Sequence, residues 1–139
     1  MSADDPLSSE VIVLFAKITD RYTREYEAAA AHHGLTKQQV KALLALDEGE
    51  LPMRRVAERL GAEPSNLTGV IDRLQARGLV ERHSDPGDRR VKLLAPTAAG
   101  RTAAADLRAR LRFALDPLAA LAEEQRRDLR DLLALMAGS

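Results

Sequence analysis

The chain has no cysteine and no tryptophan, and aromatic residues make up 3% of its 139 positions. Without thiols there is neither a disulfide framework nor a cysteine-based sensor, so nothing in the composition points to an oxidising compartment. With so few aromatics the core has to come from Leu, Val, Ile and Ala, whose abundance suits a mainly α fold. Long apolar runs are also missing, and none approaches the roughly 18 residues of a membrane span. The acidic start Met1-Ser2-Ala3-Asp4-Asp5-Pro6 lacks the basic-then-apolar order of a signal peptide. A soluble, cytoplasmic protein with no membrane partner is expected, folded as a single domain over 1–139.

Enzyme signatures are just as scarce. No glycine-rich phosphate loop and no nucleophile motif appears, so neither a cofactor nor a catalytic residue is expected. The histidines are His32, His33 and His83. Adjacent histidines on a helix point in different directions, and no Cys or His-x-x-x-His spacing completes a ligand set, so no metal site is expected.

An excess of one charge is absent overall, with 21 basic and 21 acidic residues. The distribution is uneven. Residues 1–35 carry three basic and six acidic side chains, whereas residues 54–92 carry nine and six. Positive charge therefore collects in the middle of the chain, where a phosphate-facing surface would use it.

Apolar positions Val11, Leu14, Phe15, Ile18, Tyr22 and Tyr26 recur every three or four residues, which predicts a long helix over about 8–32 that Gly34 ends. Thr36 followed by Gln39 is a capping-box pattern, and Val40, Leu43, Leu44 and Leu46 form the stripe of a second helix. A short third helix begins at Pro52 and closes at Gly61. After only Gly61-Ala62-Glu63 a fourth opens at Pro64, with Leu67, Val70, Ile71 and Leu74 on one face. Two helices so closely joined are a helix-turn-helix.

Residues 79–83 and 91–95 read as two strands around Asp85-Pro86-Gly87-Asp88, a hairpin or wing. Thr97 caps a fifth helix to about 115, and a last helix from about 123 carries Leu129, Leu132, Leu133 and Met136 on one side. The fold class is thus mainly α, a winged helix-turn-helix with a two-stranded wing. Its DNA-binding module spans about 36–96, flanked by helices over about 8–33 and 97–137. The flanking stripes need partners, and a second copy of the chain is the expected one, because a short helix-turn-helix reads enough sequence only when paired.

The run Leu60-Gly61-Ala62-Glu63-Pro64-Ser65-Asn66-Leu67-Thr68-Gly69-Val70-Ile71-Asp72-Arg73-Leu74, then Gly78-Leu79-Val80-Glu81-Arg82, then Asp85-Pro86-Gly87-Asp88-Arg89-Arg90, then Leu94-Ala95-Pro96-Thr97-Ala98-Ala99-Gly100, resembles the MarR family (multiple antibiotic resistance regulator). His33-Gly34-Leu35-Thr36-Lys37-Gln38-Gln39 resembles it as well, so the likeness covers about 30–101. It departs from the usual pattern at Pro96, where an apolar residue is common, and at Ile71, where Val is commoner. The resemblance implies a dimeric transcription regulator, often a repressor, that leaves an inverted-repeat operator when a small aromatic or phenolic effector binds.

Residues in the first two turns of a recognition helix read bases, which selects Ser65, Asn66, Thr68 and Gly69. Ser65 and Asn66 would serve equally as first-turn caps for free backbone N–H groups. Arg73 and Arg77, with Arg54 and Arg55 at the start of the third helix, are phosphate candidates, or else members of a solvated face pairing with Asp72 or Glu81. Arg89 and Arg90 close the wing. The resemblance implies that Arg90 enters the minor groove, and Asp88 either orients that arginine or Arg73 by a charge-assisted bond, or satisfies its own turn. Family likeness also implies an effector site between the flanking helices and the winged module, near Tyr22, Tyr26, His32 and His33. For these the alternative is core or dimer packing for the tyrosines, and a helix C-terminus favouring positive charge for the histidines. A winged helix used for protein contact, or a DNA binder without effector, would carry the same fold.

Overall fold

Residues 5–138 are described by the structure, a computed structural model. The reading of the start as no signal peptide falls mostly on residues 1–4, outside the described residues. Helix α1 (Pro6–His33) opens with the Asp5 carboxylate accepting the Ser8 N–H at 3.0 Å and ends at Gly34, whose φ of 63° suits only glycine readily. Helix α2 (Lys37–Asp47) carries the capping box expected. The Thr36 hydroxyl accepts from Gln39 N–H, and the Gln39 amide oxygen accepts from Thr36 N–H.

Strand β1 (Leu51–Pro52), helix α3 (Met53–Leu60), helix α4 (Pro64–Ala76), and strands β2 (Val80–Asp85) and β3 (Asp88–Pro96) complete the winged module. The sheet has three antiparallel strands in the order β1-β3-β2, not the two expected from sequence. The extra strand is two residues long, too short to show a period. Pro52 belongs to it and precedes α3 with an extended ψ of 155°, instead of opening the helix. Pro96 is tolerated because β1 stops opposite Leu94, which leaves β3 with only β2 beside it at that end.

Helix α5 (Ala98–Arg110) is capped by Thr97, whose hydroxyl accepts the Gly100 N–H at 3.0 Å. Gly100 is forced by packing, since a Cβ there would lie 2.0 Å from the Leu79 carbonyl oxygen. The helix ends five residues short of the expected 115. The amides of Phe113 and Ala114 turn to the Glu25 carboxylate on α1, at 3.4 and 2.7 Å, and 111–121 run as turns. Helix α6 (Glu123–Ala137) follows.

One core joins the C-terminal half of α1 (Tyr26, Ala29, Ala30) to Leu43, Leu46, Leu67, Ile71, Leu74, Leu94 and Leu107. The N-terminal half of α1 and all of α6 stay outside it: Phe15 is 54% exposed, Leu132 58% and Leu135 77%. No described helix is long and apolar enough to cross a membrane.

Candidate nucleic-acid interface

Gly61, with φ of 63°, turns the chain sharply out of α3, and Pro64 starts α4 without needing a backbone donor. Because Leu67, Ile71 and Leu74 are buried against the core, the opposite face of α4 must look outward. Ser65, Asn66, Thr68 and Gly69 all lie there, exposed. The capping alternative for Ser65 and Asn66 finds no support in the geometry. No side chain caps α4, and the Asn66 N–H reaches the Glu63 carbonyl at 3.0 Å. The Thr68 hydroxyl donates to the Pro64 carbonyl at 3.2 Å. Gly69 faces open space, with no atom within 4 Å of a Cβ added to it.

The cations divide into free and committed groups. Among the described residues, Arg54, Arg73 and Arg89 make no ion pair or side-chain hydrogen bond, and all three are exposed. Arg55 reaches Glu58 at 3.4 Å on the surface of α3. Arg77 is placed apart from the phosphate candidates. Its guanidinium donates to the carbonyl oxygens of Gly34 and His33, each at 2.8 Å, and so closes the C-terminal end of α1. Asp72 pairs with Arg82 of β2 at 2.6 Å, not with Arg73 or Arg77.

In the wing, the Asp85 carboxylate accepts the Gly87 N–H at 2.8 Å and sets the turn. Asp88 Oδ1 accepts both the backbone N–H and the Nε–H of Arg90, at 3.1 and 3.2 Å. Asp88 fills both roles, satisfying its own turn through the Arg90 N–H and orienting the Arg90 side chain, not that of Arg73, and the Arg90 side chain is still 91% exposed. His83 bonds Glu50, which ties β2 to the loop before β1.

The tyrosine and histidine candidates separate. Tyr26 is 4% exposed and lines a cavity of about 300 Å³ with Leu44 and Leu60 and the cations Lys41, Arg59 and Arg108. Burial, with Tyr22 beside it, pushes the Tyr26 hydroxyl up to about 12. Tyr22 stands next to it, ring centroids 5.2 Å apart. His33 is elsewhere, its Nε2 2.6 Å from Asp106 on α5, and His32 Nε2 lies 4.0 Å from the same carboxylate. Hydrogen bonds from Arg110 and then His33 hold the Asp106 carboxyl below its ordinary range. Sequence reasoning missed Lys41, Arg59, Arg108 and Asp106. Arg59 pairs with Glu48 at 2.5 Å, and Arg108 binds Asp47 and the Leu44 carbonyl, each at 3.2 Å, contacts that only the tertiary fold creates.

A helix-turn-helix with an open recognition face, flanked by a wing carrying a presented arginine, defines the winged-helix class of DNA-binding regulators. The MarR family model matches residues 33–91. The transcriptional repressor NicR of Pseudomonas putida is 30% identical over 68% of this chain and 60% of its own length. The crystal structure of CouR from Rhodococcus jostii RHA1 bound to p-coumaroyl-CoA is 30% identical, with a TM-score of 0.74 over 96% of both chains. That of NadR in complex with 4-hydroxyphenylacetate is 25% identical, with a TM-score of 0.67 over 99% of this chain and 96% of the other. The chain belongs to the MarR family, a family of DNA-binding transcription regulators and not of enzymes. It spans between 48% and 66% of the length of three curated relatives that it matches.

Proposed function

We propose that this protein is a homodimeric, cytoplasmic repressor that binds an inverted-repeat operator and leaves it when a small aromatic anion binds. The observation that carries the reading is the outward face of α4. Ser65, Asn66, Thr68 and Gly69 are exposed there, with Arg90 held out from the neighbouring wing by Asp88. Polar side chains at the start of such a helix match base edges in the major groove, while Arg54, Arg55, Arg73 and Arg89 supply positive charge for phosphates. Arg77, committed to α1, acts in this reading by holding the end of α4 and not by touching DNA.

Pairing is supported by the apolar side chains that α1 and α6 leave exposed, among them Val13, Phe15, Leu132 and Leu135. The effector is supported by the cavity beside Tyr26, where Leu44, Leu60 and Leu115 offer apolar wall and Lys41 a cation outside the Arg59–Glu48 and Arg108–Asp47 pairs, a lining that suits a ring bearing an acid group. Its volume, about 300 Å³, stands at the lower end of ligand sites. CouR and NadR hold ligands of related chemistry, a hydroxycinnamoyl thioester and a hydroxyphenyl carboxylate. Tyr22 flanks this cavity's tyrosine, whereas His33 takes no part in it.

Selection of double-stranded DNA by the purified protein, followed by anisotropy titrations at several salt concentrations, tests the reading. An inverted repeat with half-site centres about one helical turn apart, bound with steep salt dependence, is expected. Failure to enrich any sequence would leave the fold intact and transfer the role to protein contact.

A further inference from the structure

Where the C-terminal end of α1 meets α5, the fold gathers three groups that the DNA-binding reading does not use. Neighbouring residues on a helix diverge by about 100°, yet His32 and His33 stand edge to face, ring centroids 5.2 Å apart. Both direct a nitrogen toward Asp106, whose carboxylate comes from the adjoining helix. His33 Nε2 lies 2.6 Å and His32 Nε2 4.0 Å from Asp106 Oδ2. The three donor atoms fall within 4.8 Å of one another.

A cation already occupies the edge of this cluster. Arg110 Nε donates to Asp106 Oδ2 at 2.8 Å, and a terminal nitrogen of the same guanidinium donates to His32 Nε2 at 2.8 Å. Arginine offers only donors, so His32 Nε2 turns its lone pair toward that positive charge. A lone pair, a carboxylate and a second imidazole therefore converge on one place, and that place attracts a cation.

We propose that His32, His33 and Asp106 form a binding site for a divalent transition-metal ion of the zinc class, with Arg110 as the resident cation that the metal displaces. Two imidazoles and one carboxylate suit zinc, nickel or copper, whereas calcium and magnesium prefer all-oxygen sets. Zinc–ligand bonds of about 2.0–2.2 Å set tetrahedral ligand atoms roughly 3.4 Å apart. The separations of 2.6 and 4.0 Å lie on either side of that value, and exposed His32 can rotate to even them out. Displacing Arg110 is easy, because its pair with Asp106 is a surface pair one helical turn apart, screened by water. Solvent reaches the cluster, which leaves the remaining coordination positions to water. The site adjoins the anchor of the recognition helix, since the His33 carbonyl oxygen accepts from Arg77.

Equilibrium dialysis of the full chain against Zn²⁺, with Co²⁺ absorption as a reporter of coordination, tests the assignment. Stoichiometric binding per chain is expected. His33→Gln and Asp106→Asn should each weaken it by about tenfold or more. Arg110→Gln should tighten it by removing the competing charge, a gain that a damaged fold cannot produce. His83→Gln, whose imidazole pairs with Glu50 in the wing region, should leave binding unchanged. Unaltered zinc affinity in His33→Gln and Asp106→Asn, or no binding by either the natural chain or Arg110→Gln, overturns the site.

Discussion

The winged module and the outer parts of the helical frame, the N-terminal half of α1 and all of α6, treat their apolar residues in opposite ways. In the module, Leu43, Leu46, Leu67, Ile71, Leu74 and Leu94 are fully buried among side chains of the same chain. In the frame, Val11, Leu14, Phe15 and Ile18 on α1 and Leu132, Leu133 and Met136 on α6 keep the same helical spacing and remain exposed. Helical periodicity alone thus identifies an apolar face but not what covers it. The module is complete within one copy, whereas the frame carries a surface too apolar for a monomer to leave in water at no cost.

The largest expected effect comes from charging that surface. Phe15→Glu combined with Leu132→Glu should convert the protein from dimer to monomer in sedimentation velocity and abolish binding to an inverted repeat, while a single half-site is still bound weakly. A core substitution should behave the other way. Leu74→Ala should lower the unfolding free energy by about 2–5 kcal/mol in urea titrations and leave the stoichiometry as it was. If the charged variant sediments like the natural chain, the two regions differ only in exposure and the frame serves another purpose.

A smaller effect separates the arginine presented on the wing from the one committed to α1. Arg90→Ala should weaken operator binding about tenfold and reduce the slope of log affinity against log salt by about one unit. Asp88→Asn, which keeps the arginine but loses its charged partner, should cost less affinity and leave the slope nearly unchanged. Arg77→Ala should instead lower thermal stability, because it frees two carbonyl groups at the end of α1. An Arg77→Ala variant that melts like the natural chain and loses salt dependence would return Arg77 to the phosphate-binding set.

What the sequence makes legible follows from how far apart the interacting residues stand. The Thr36 capping box, the turn at Gly61 and the buried stripe of α4 are local, and each lies where residue spacing puts it. The Asp88–Arg90 contact spans two residues and is equally readable, although the role of Arg90 in the minor groove comes from family resemblance. Strand β1 escapes notice because two residues show no period, and the early end of α5 because Glu25 lies 88 residues from Phe113. Asp106 escapes for the same reason, standing 73 residues from His33. Arg77 illustrates the limit best: its place at the C-terminal end of α4 suggests phosphate, and only the approach of α1 reveals another partner.

The smallest effect concerns the boundary between the two regions, where Tyr26 of α1 is buried against α2 and beside the cavity. Its hydroxyl titrates at about 12 in the folded chain, against an ordinary value of 10.0, because burial and Tyr22 disfavour the phenolate. The folded pKa is raised, so the associated stability is fully present below about pH 10 and is lost as pH climbs toward 12. Tyr26→Phe removes this titration. Denaturation curves of the variant should therefore change less between pH 10 and 12 than those of the natural chain, and the two should run parallel near neutrality. Equal alkaline sensitivity in both proteins would mean that other groups, and not the tyrosine at the junction, limit stability there.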